Sequence, residues 1–309
     1  MIELDGIKAF ITVVDCGSFS EAAAHLHLTQ PAVSKRVALL EGQMRVRLFD
    51  RIGRTVTLTE FGRALVPRAR DILRAVEDTQ RAISNLSGRV GGQLSLATSH
   101  HIGLWRLPPV LKEYAGRYPD VSLDLHFMDS EIAHEQIVQG NLELGIITLA
   151  PGGHQRLTSI PVWRDDLVFM CSAEHPLASI RSVSIEELST HHAILPDMST
   201  FTGRIVKRLF DERGLTLRTS MSTNYLETIK MLVSIGLGWS VLPKTMLDEG
   251  TITLNVPNIA VYRDLGIIHH NQRTLSNAGK AFIQLLTAVK AASSHELQAA
   301  TLDTREQDP

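Results

Sequence analysis

Apolar side chains recur at three- and four-residue steps through roughly the first ninety positions, and the pattern changes after that. Leu4, Ile7, Phe10, Ile11 and Val14 predict a helix over 2–16. Ala22, Ala23, Ala24 and Leu26 predict a second, short helix with a closely packing face. Ser20 is placed to cap it, since a hydroxyl there accepts from free first-turn N–H groups. Leu28 and Thr29 form a turn, and Pro31 then falls in the first turn of a third helix, where its missing N–H is harmless. That helix runs to about residue 43 and turns Val33, Val37, Leu40 and Met44 inward, spaced by four, three and four.

Residues 52–58 read as two short strands around the Gly53-Arg54 turn. Thr59 then caps a long helix, with Glu60 favourably placed for its dipole. Leu65, Ala69, Ile72, Val76, Thr79, Ile83 and Leu86 alternate by four and three, a heptad seam that needs a partner helix. Arg68, Arg70, Asp71, Arg74, Glu77, Asp78 and Arg81 form the solvated face opposite. A seam this regular predicts a homodimer, so that two reading helices address a two-fold DNA site.

Residues 87–92, Ser-Gly-Arg-Val-Gly-Gly, form a hinge, and beyond it strands and helices alternate. Strands are expected at 93–98, 121–127 and 142–148, with helices at 104–118 and 132–139 between them. A second set follows: strands 167–171, 193–195, 219–222 and 239–242, with helices 203–212 and 226–235. Strand 264–269 and helix 275–292 return to the first set. The alternation predicts a mostly parallel sheet covered on both faces, in two α/β lobes joined by crossovers near 160–162 and 262–265 and enclosing a cleft.

The exposed face of the third helix carries Gln30, Ala32, Ser34, Lys35 and Arg36. Gln can pair bidentately with adenine, Lys and Arg can reach guanine or phosphate, and Ala can lie against a thymine methyl. This stretch, from Ser18 to Arg51, resembles the winged helix-turn-helix of LysR-type transcriptional regulators. Ser18, Phe19, Ala22, Ala23, Leu26, Thr29, Gln30, Pro31, Ala32, Val33, Ser34, Val37, Leu40, Glu41, Leu48, Phe49 and Arg51 stand in register with the family pattern. One departure is Met44-Arg45, where the family usually has Leu-Gly; an Arg held left-handed there costs roughly 1 kcal/mol. The expected DNA-contacting set is Ser18, Thr29, Gln30, Pro31, Ala32, Ser34, Lys35, Arg36, Arg51 and Arg54, with Arg54 at the wing tip suited to a narrow A·T-rich minor groove.

The resemblance continues, less specifically, through Pro108-Pro109, Tyr118-Pro119, residues 140–146, His175-Pro176-Leu177 and residues 236–243. It implies an α/β protein: a winged helix-turn-helix over 1–58, a linker and dimerisation helix over 59–89, and a periplasmic-binding-protein-like effector domain over 90–295. Lobe I would hold 90–162 and 266–295 and lobe II 163–265, with a mobile tail at 296–309. It also implies assembly of homodimers to a homotetramer and contact with RNA polymerase.

Ligands of open α/β sheets gather at strand C-termini beside helix N-termini. That rule selects Thr98, Ser99, His100 and His101, Thr148, then Thr200, Phe201 and Thr202, and Thr223 with Asn224. Ser99 and His101 are the first choices. Hydroxyls, amides and a histidine suit a small anionic or polar effector.

Composition narrows this picture further. The chain has 309 residues and a formal charge of −2, but residues 1–90 carry 13 Lys+Arg against 10 Asp+Glu while the remainder is at −5. A dimer can gather the N-terminal excess against phosphates, with salt-sensitive binding. No apolar run approaches a membrane span and no signal segment opens the chain, so cytoplasmic residence is expected. The paired histidines His100-His101, His191-His192 and His269-His270 lack metal-ligand spacing, and neither a phosphate loop nor a Gly-x-Ser-x-Gly elbow occurs. No catalysis, metal or cofactor is expected. Cys16 and Cys171 fall in different domains, so no intramolecular disulfide switch is expected; the alternative reading is a redox-responsive regulator using Cys171, or a ligand sensor not dependent on a cleft-bound metabolite.

Overall fold

Gly17, left-handed at φ 64°, stops the first helix. The computed structural model describes residues 2–52 and 55–288 and divides into two compact units, Met1–Ser87 and Gly88–Pro309. Helix α1 is Leu4–Cys16, α2 is Phe19–His25 and α3 is Gln30–Met44. Ser18, and not Ser20, caps α2: its Oγ accepts from Glu21 N at 3.4 Å. The helix starts early because Phe19 must reach the core, where its ring meets Phe49 at 5.5 Å. The turn between α2 and α3 is made by His27 at φ 52°, with Leu28 N bonded to Ala23 O. Helix α3 buries Val33, Val37 and Leu40 against Ala9, Phe10 and Val13 of α1, while Met44 is partly covered.

Strands β1 (Phe49–Ile52) and β2 (Thr55–Leu58) pair antiparallel, and α4 runs from Glu60 to Asn85. Thr59 Oγ1 accepts from Gly62 N at 3.0 Å, as its position before the helix predicts. A Cβ on Gly62 would stand 2.2 Å from Leu48 O, so only glycine lets α4 rest on that backbone. The expected heptad seam is divided. Leu65, Val66, Ala69 and Leu73 pack on the unit's own core, whereas Ile72, Ile83 and Leu86 stay exposed, Leu86 by 87%.

In the second unit β3 (Gly92–Thr98), β4 (Val121–Phe127) and β5 (Leu144–Thr148) are parallel. Between them lie α5 (His100–Trp105), α6 (Pro108–Arg117) and α7 (Ser130–Val138). The single helix expected over 104–118 breaks at Arg106-Leu107, because Pro108 and Pro109 have no N–H to carry it onward. Strand β6 is Leu157–Cys171, a continuous 15 residues. After it come α8 (Ile185–Thr190), β7 (Ala193–Leu195), α9 (Phe201–Asp211), β8 (Thr219–Ser222), α10 (Leu226–Ser234), β9 (Ser240–Pro243), β10 (Ile252–Thr253) and β11 (Val261–His270). Helix α11 occupies 277–288 of the described residues.

The sheet is mixed rather than mostly parallel. β11 pairs antiparallel with both β5 and β6, and the far half of β6 pairs antiparallel with β9 and β10. The reason lies in β6 and β11. Each is one long strand that serves both lobes, where the sequence pattern suggested separate crossover and core segments. Lobe I closes around Leu94, Leu96, Tyr114, Leu144 and Phe282; lobe II closes around Phe169, Val206, Phe210, Trp239 and Val241.

Candidate functional site

Helix α3 presents its N-terminal turns on the open side of its own unit. Gln30 and Lys35 are exposed, and Gln30 Nε2 donates to Ser34 Oγ at 2.8 Å, so amide and hydroxyl share one face at a four-residue step. Pro31 lies exposed beside them and Ala32 is half-buried. Arg36 behaves differently: its guanidinium is 3.0 Å from Asp5 of α1, which makes it a brace between the two helices in this structure. Ser18 serves as the α2 cap, and Thr29 stands extended as the residue before α3. Arg54 and the side chain of Arg51 lie outside the described residues.

In the second unit, the ends of β3 and β5 and the starts of α5, α7, α9 and α10 surround a small cleft of about 50 Å³. It is lined by Ser99, His100, His101, Asp129, Ser130, Glu131 and Thr148 from lobe I, and by Pro196, Thr200, Thr202, Asn224, Leu226 and Arg263 from lobe II. Of the ten residues selected by strand ends, seven line it. Thr98 does not: fully buried, it donates its hydroxyl to Ile146 O at 2.9 Å and pins β3 to β5. Thr223 Oγ1 accepts from Tyr225 N in a local turn. Phe201 contributes its N–H at the cleft edge, while its buried ring packs on His134 at 5.8 Å.

His100 and His101 begin a helix rather than extending β3. His101 turns inward and is 4% exposed; His100 stacks edge-on against Tyr225 at 4.9 Å. Neither ring nitrogen of His101 finds a hydrogen-bond partner among the described residues, and Glu227 Oε1 stays 3.6 Å from Nδ1. Thr200 Oγ1 is engaged as the α9 cap, accepting from Gly203 N at 2.9 Å. Asn224 is a clasp: its Oδ1 accepts from Asp197 N at 3.0 Å and its Nδ2 donates to Asp129 at 2.7 Å.

Two sequence profiles match the chain. "Bacterial regulatory helix-turn-helix protein, lysR family" covers residues 4–63, and "LysR substrate binding domain" covers residues 87–291. The chain belongs to the LysR family. Its members are DNA-binding transcriptional regulators and not enzymes. The transcriptional regulator YeiE of Escherichia coli strain K12 is 32% identical over 288 residues, spanning 91% of this chain and 96% of its own. Two solved structures share the fold. A full-length variant of OxyR from Pseudomonas aeruginosa has a TM-score of 0.69 at 22% identity, covering 94% of this chain and 95% of that one. Full-length CbnR complexed with its target DNA has a TM-score of 0.61 at 20% identity, covering 93% and 99%. Among the described residues of this LysR protein, no helix is long and apolar enough to cross a membrane.

The basic group of this LysR cleft was missed from sequence. Arg263, 6% exposed, donates Nε to Asp165 Oδ2 at 2.9 Å and Nη1 to Thr202 Oγ1 at 2.9 Å. Its Nη2 comes within 2.9 Å of the same Asp165 oxygen without the alignment of a hydrogen bond. Asp165, 1% exposed, also faces Arg106 at 3.5 Å, so two guanidinium groups share one buried carboxylate. Arg263 and Asp165 sit on β11 and β6, opposite one another in register, and strand-end reasoning does not reach the middle of a crossover. Asp129, Ser130 and Glu131 were missed because α7 starts two residues earlier than the expected 132.

Burial shapes the protonation states. It pushes His101 below its ordinary value, and the neighbouring Arg263 adds to the shift, so the imidazole is held neutral with one donor and one acceptor. Glu131 is pushed above the ordinary carboxylate range by burial, against the pull of the Phe201 N–H.

Proposed function

We propose that this LysR regulator binds a small anionic or polar acid in the cleft and, on doing so, changes the transcription of promoters it occupies as a homo-oligomer. The observation that carries the effector reading is a cluster of buried polar atoms without a hydrogen-bond partner among the described residues, Arg263 Nη2 and the two ring nitrogens of His101, beside the first turn of α9. Burying such groups unpaired costs about 1–3 kcal/mol each, which a ligand that bonds to them returns. The cleft's small volume favours a ligand of few heavy atoms, since one water needs about 10–15 Å³ on the same measure.

The DNA reading assigns base contacts to Gln30, Ala32 and Ser34 and phosphate contacts to Lys35, Arg51 and Arg54, with Ser18, Thr29, Pro31 and Arg36 serving position. Exposed Ile72 and Ile83 on α4, with Leu86 at its C-cap, supply the dimer seam, and exposed Leu104, Trp105, Met231, Ile235 and Leu237 on the effector unit supply a further surface for a tetramer. Lobe I would comprise 90–162 and 266–295 and lobe II 163–265, hinging on β6 and β11. Effector binding favours one lobe arrangement, resets the spacing of the DNA heads and so alters contact with RNA polymerase in the cytoplasm. Only unequal affinity for the two arrangements does this.

A thermal-shift screen of the full-length protein against small organic acids and inorganic anions tests the effector reading. A specific ligand at a hundred times its Kd stabilises by about 2.7 kcal/mol. That gain should vanish in Thr202→Val and Arg263→Lys. A screen without hits, or a hit indifferent to both variants, overturns the reading. The redox alternative draws no support from Cys171, which is fully buried in lobe II with its thiol pushed up to about 11 by burial. Cys171→Ser should leave regulation intact.

A further inference from the structure

The cleft is already occupied at one end by a piece of the protein. Helix α9 has a free donor in its first turn, because Thr200 Oγ1 satisfies Gly203 N and leaves Phe201 N to be met from elsewhere. That donor goes to Glu131 Oε1, a carboxylate belonging to α7 in the other lobe. Two residues before it, the α7 N-cap Asp129 accepts from Asn224 Nδ2 at 2.7 Å. Two acidic side chains of lobe I thus reach across to lobe II at the point where an acid ligand would meet the α9 dipole. Meanwhile Arg263 Nη2 and both nitrogens of His101, each group more than nine-tenths buried, face the same cleft without hydrogen-bond partners among the described residues. The carboxylate in place serves the helix and leaves these atoms without a hydrogen bond.

We propose that Glu131 is a tethered competitor of the effector: its carboxylate holds the α9 N-terminus across the cleft, and a small carboxylate ligand takes that position by displacing it. This deepens the effector reading given above and rests on it. The ligand gains what Glu131 cannot reach, namely Arg263 Nη2 and His101, while it inherits the Phe201 N–H. Displacement cuts one of the two polar clasps between α7 and lobe II, so occupancy is converted directly into a change of lobe contact. Glu131 has a second consequence for selectivity. Displacing a charged, bonded side chain sets a threshold that only a ligand matching both lobes can pass, and neutral polar molecules do not pass it.

The test uses acetate, whose reacting group is the one Glu131 carries. Full-length wild type, Glu131→Gln and Glu131→Ala are titrated with sodium acetate against sodium chloride at equal ionic strength, and unfolding temperature and the combined fluorescence of Trp105, Trp163 and Trp239 are followed. Trp105 is informative because its Nε1 donates across the lobes to Glu227 at 3.0 Å. Acetate should bind Glu131→Ala more tightly than wild type by about ten-fold or more, the scale of one charge-assisted hydrogen bond no longer contested. Glu131→Gln, which keeps a neutral acceptor, should fall between. Equal or weaker acetate binding in both variants overturns the proposal. If acetate stabilises wild type but not Arg263→Lys, yet neither Glu131 variant gains, the tether fails while the cleft reading stands. If no form of the protein binds acetate but the wider screen yields a ligand, the carboxylate assignment fails alone.

Discussion

Arg263 Nη1 donates to Thr202 Oγ1 at 2.9 Å, joining the first residues of β11 to the first turn of α9. The guanidinium therefore has Nε bonded to Asp165, Nη1 committed to α9, and Nη2 close to Asp165 but without a hydrogen bond. Removing it and removing its partner should have different signatures. Arg263→Ala leaves Asp165 buried with only the more distant Arg106, and breaking a buried pair on one side costs about 3–5 kcal/mol. Thr202→Val keeps the ion pair and loses one hydrogen bond, a cost of about 1 kcal/mol with a further penalty for the freed donor. Chemical denaturation of the full-length protein should separate the two by at least the difference between these figures. Near-equal losses would mean that Asp165 is satisfied by Arg106 alone.

The acid–base groups of the cleft give the stability a recognisable pH profile. Glu131 lies above its ordinary value of 4.5, chiefly by burial. The folded state thus prefers the protonated form, and the associated stability is present in full below the ordinary value and is lost as pH rises through the raised one. Glu131→Gln should accordingly melt higher than wild type near neutral pH, with the difference closing as pH falls toward about 4. His101 works the other way. It lies below its ordinary 6.5 because burial and Arg263 disfavour the imidazolium. Its contribution is present above 6.5 and is lost as pH falls through the lowered value. His101→Gln should therefore remove part of the wild type's loss of stability on acidification. Melting temperatures across about pH 4–8 check both directions, and a Glu131→Gln curve parallel to wild type throughout would contradict the first.

Arg45 shows how far a sequence can carry a local argument. The family pattern implied a left-handed residue there, and Arg45 takes φ 55° and ψ 32° with Val46 N bonded to Glu41 O, closing α3 as a glycine would. Arg45→Gly should stabilise the protein by about 1 kcal/mol, a gain of a few degrees in unfolding temperature, because the Cβ penalty disappears. No change would mean that the arginine side chain makes a compensating contact. The helices of the N-terminal unit were legible for the same reason Arg45 was: they are set by short-range spacing, caps and turns. The start of α2 was misplaced by two residues because the need to bury Phe19 against Phe49 is a tertiary fact. The cleft was half legible. Thr148, Thr200 and Asn224 follow from strand and helix ends, whereas Arg263, Asp165 and Glu131 depend on strand register and on contacts between lobes. Those pairings span 98 residues for Arg263 with Asp165 and 70 for Glu131 with Phe201, distances over which periodicity is silent.

On α3, Gln30 and Lys35 are expected to do different work, and the difference is measurable. The Gln30 amide donates to Ser34 Oγ at 2.8 Å on an exposed face, an orientation that on the proposed reading would select the base edge it meets. Gln30→Ala should cost about 1–3 kcal/mol on the preferred site and much less on unrelated DNA, so the specificity ratio narrows. Lys35, exposed next to it, carries a charge without a directional fork; Lys35→Ala should weaken all duplexes alike and lower the salt slope by about one. Arg36 provides the internal control. Because it bridges to Asp5 at 3.0 Å, Arg36→Ala should act mainly on the packing of α1 against α3, shifting the unfolding transition with only a small change in salt slope. Fluorescence titrations on one specific and one scrambled duplex, each at several salt concentrations, resolve the three behaviours. Should Gln30→Ala lose affinity equally on both duplexes, base readout has to be assigned to another residue of the helix.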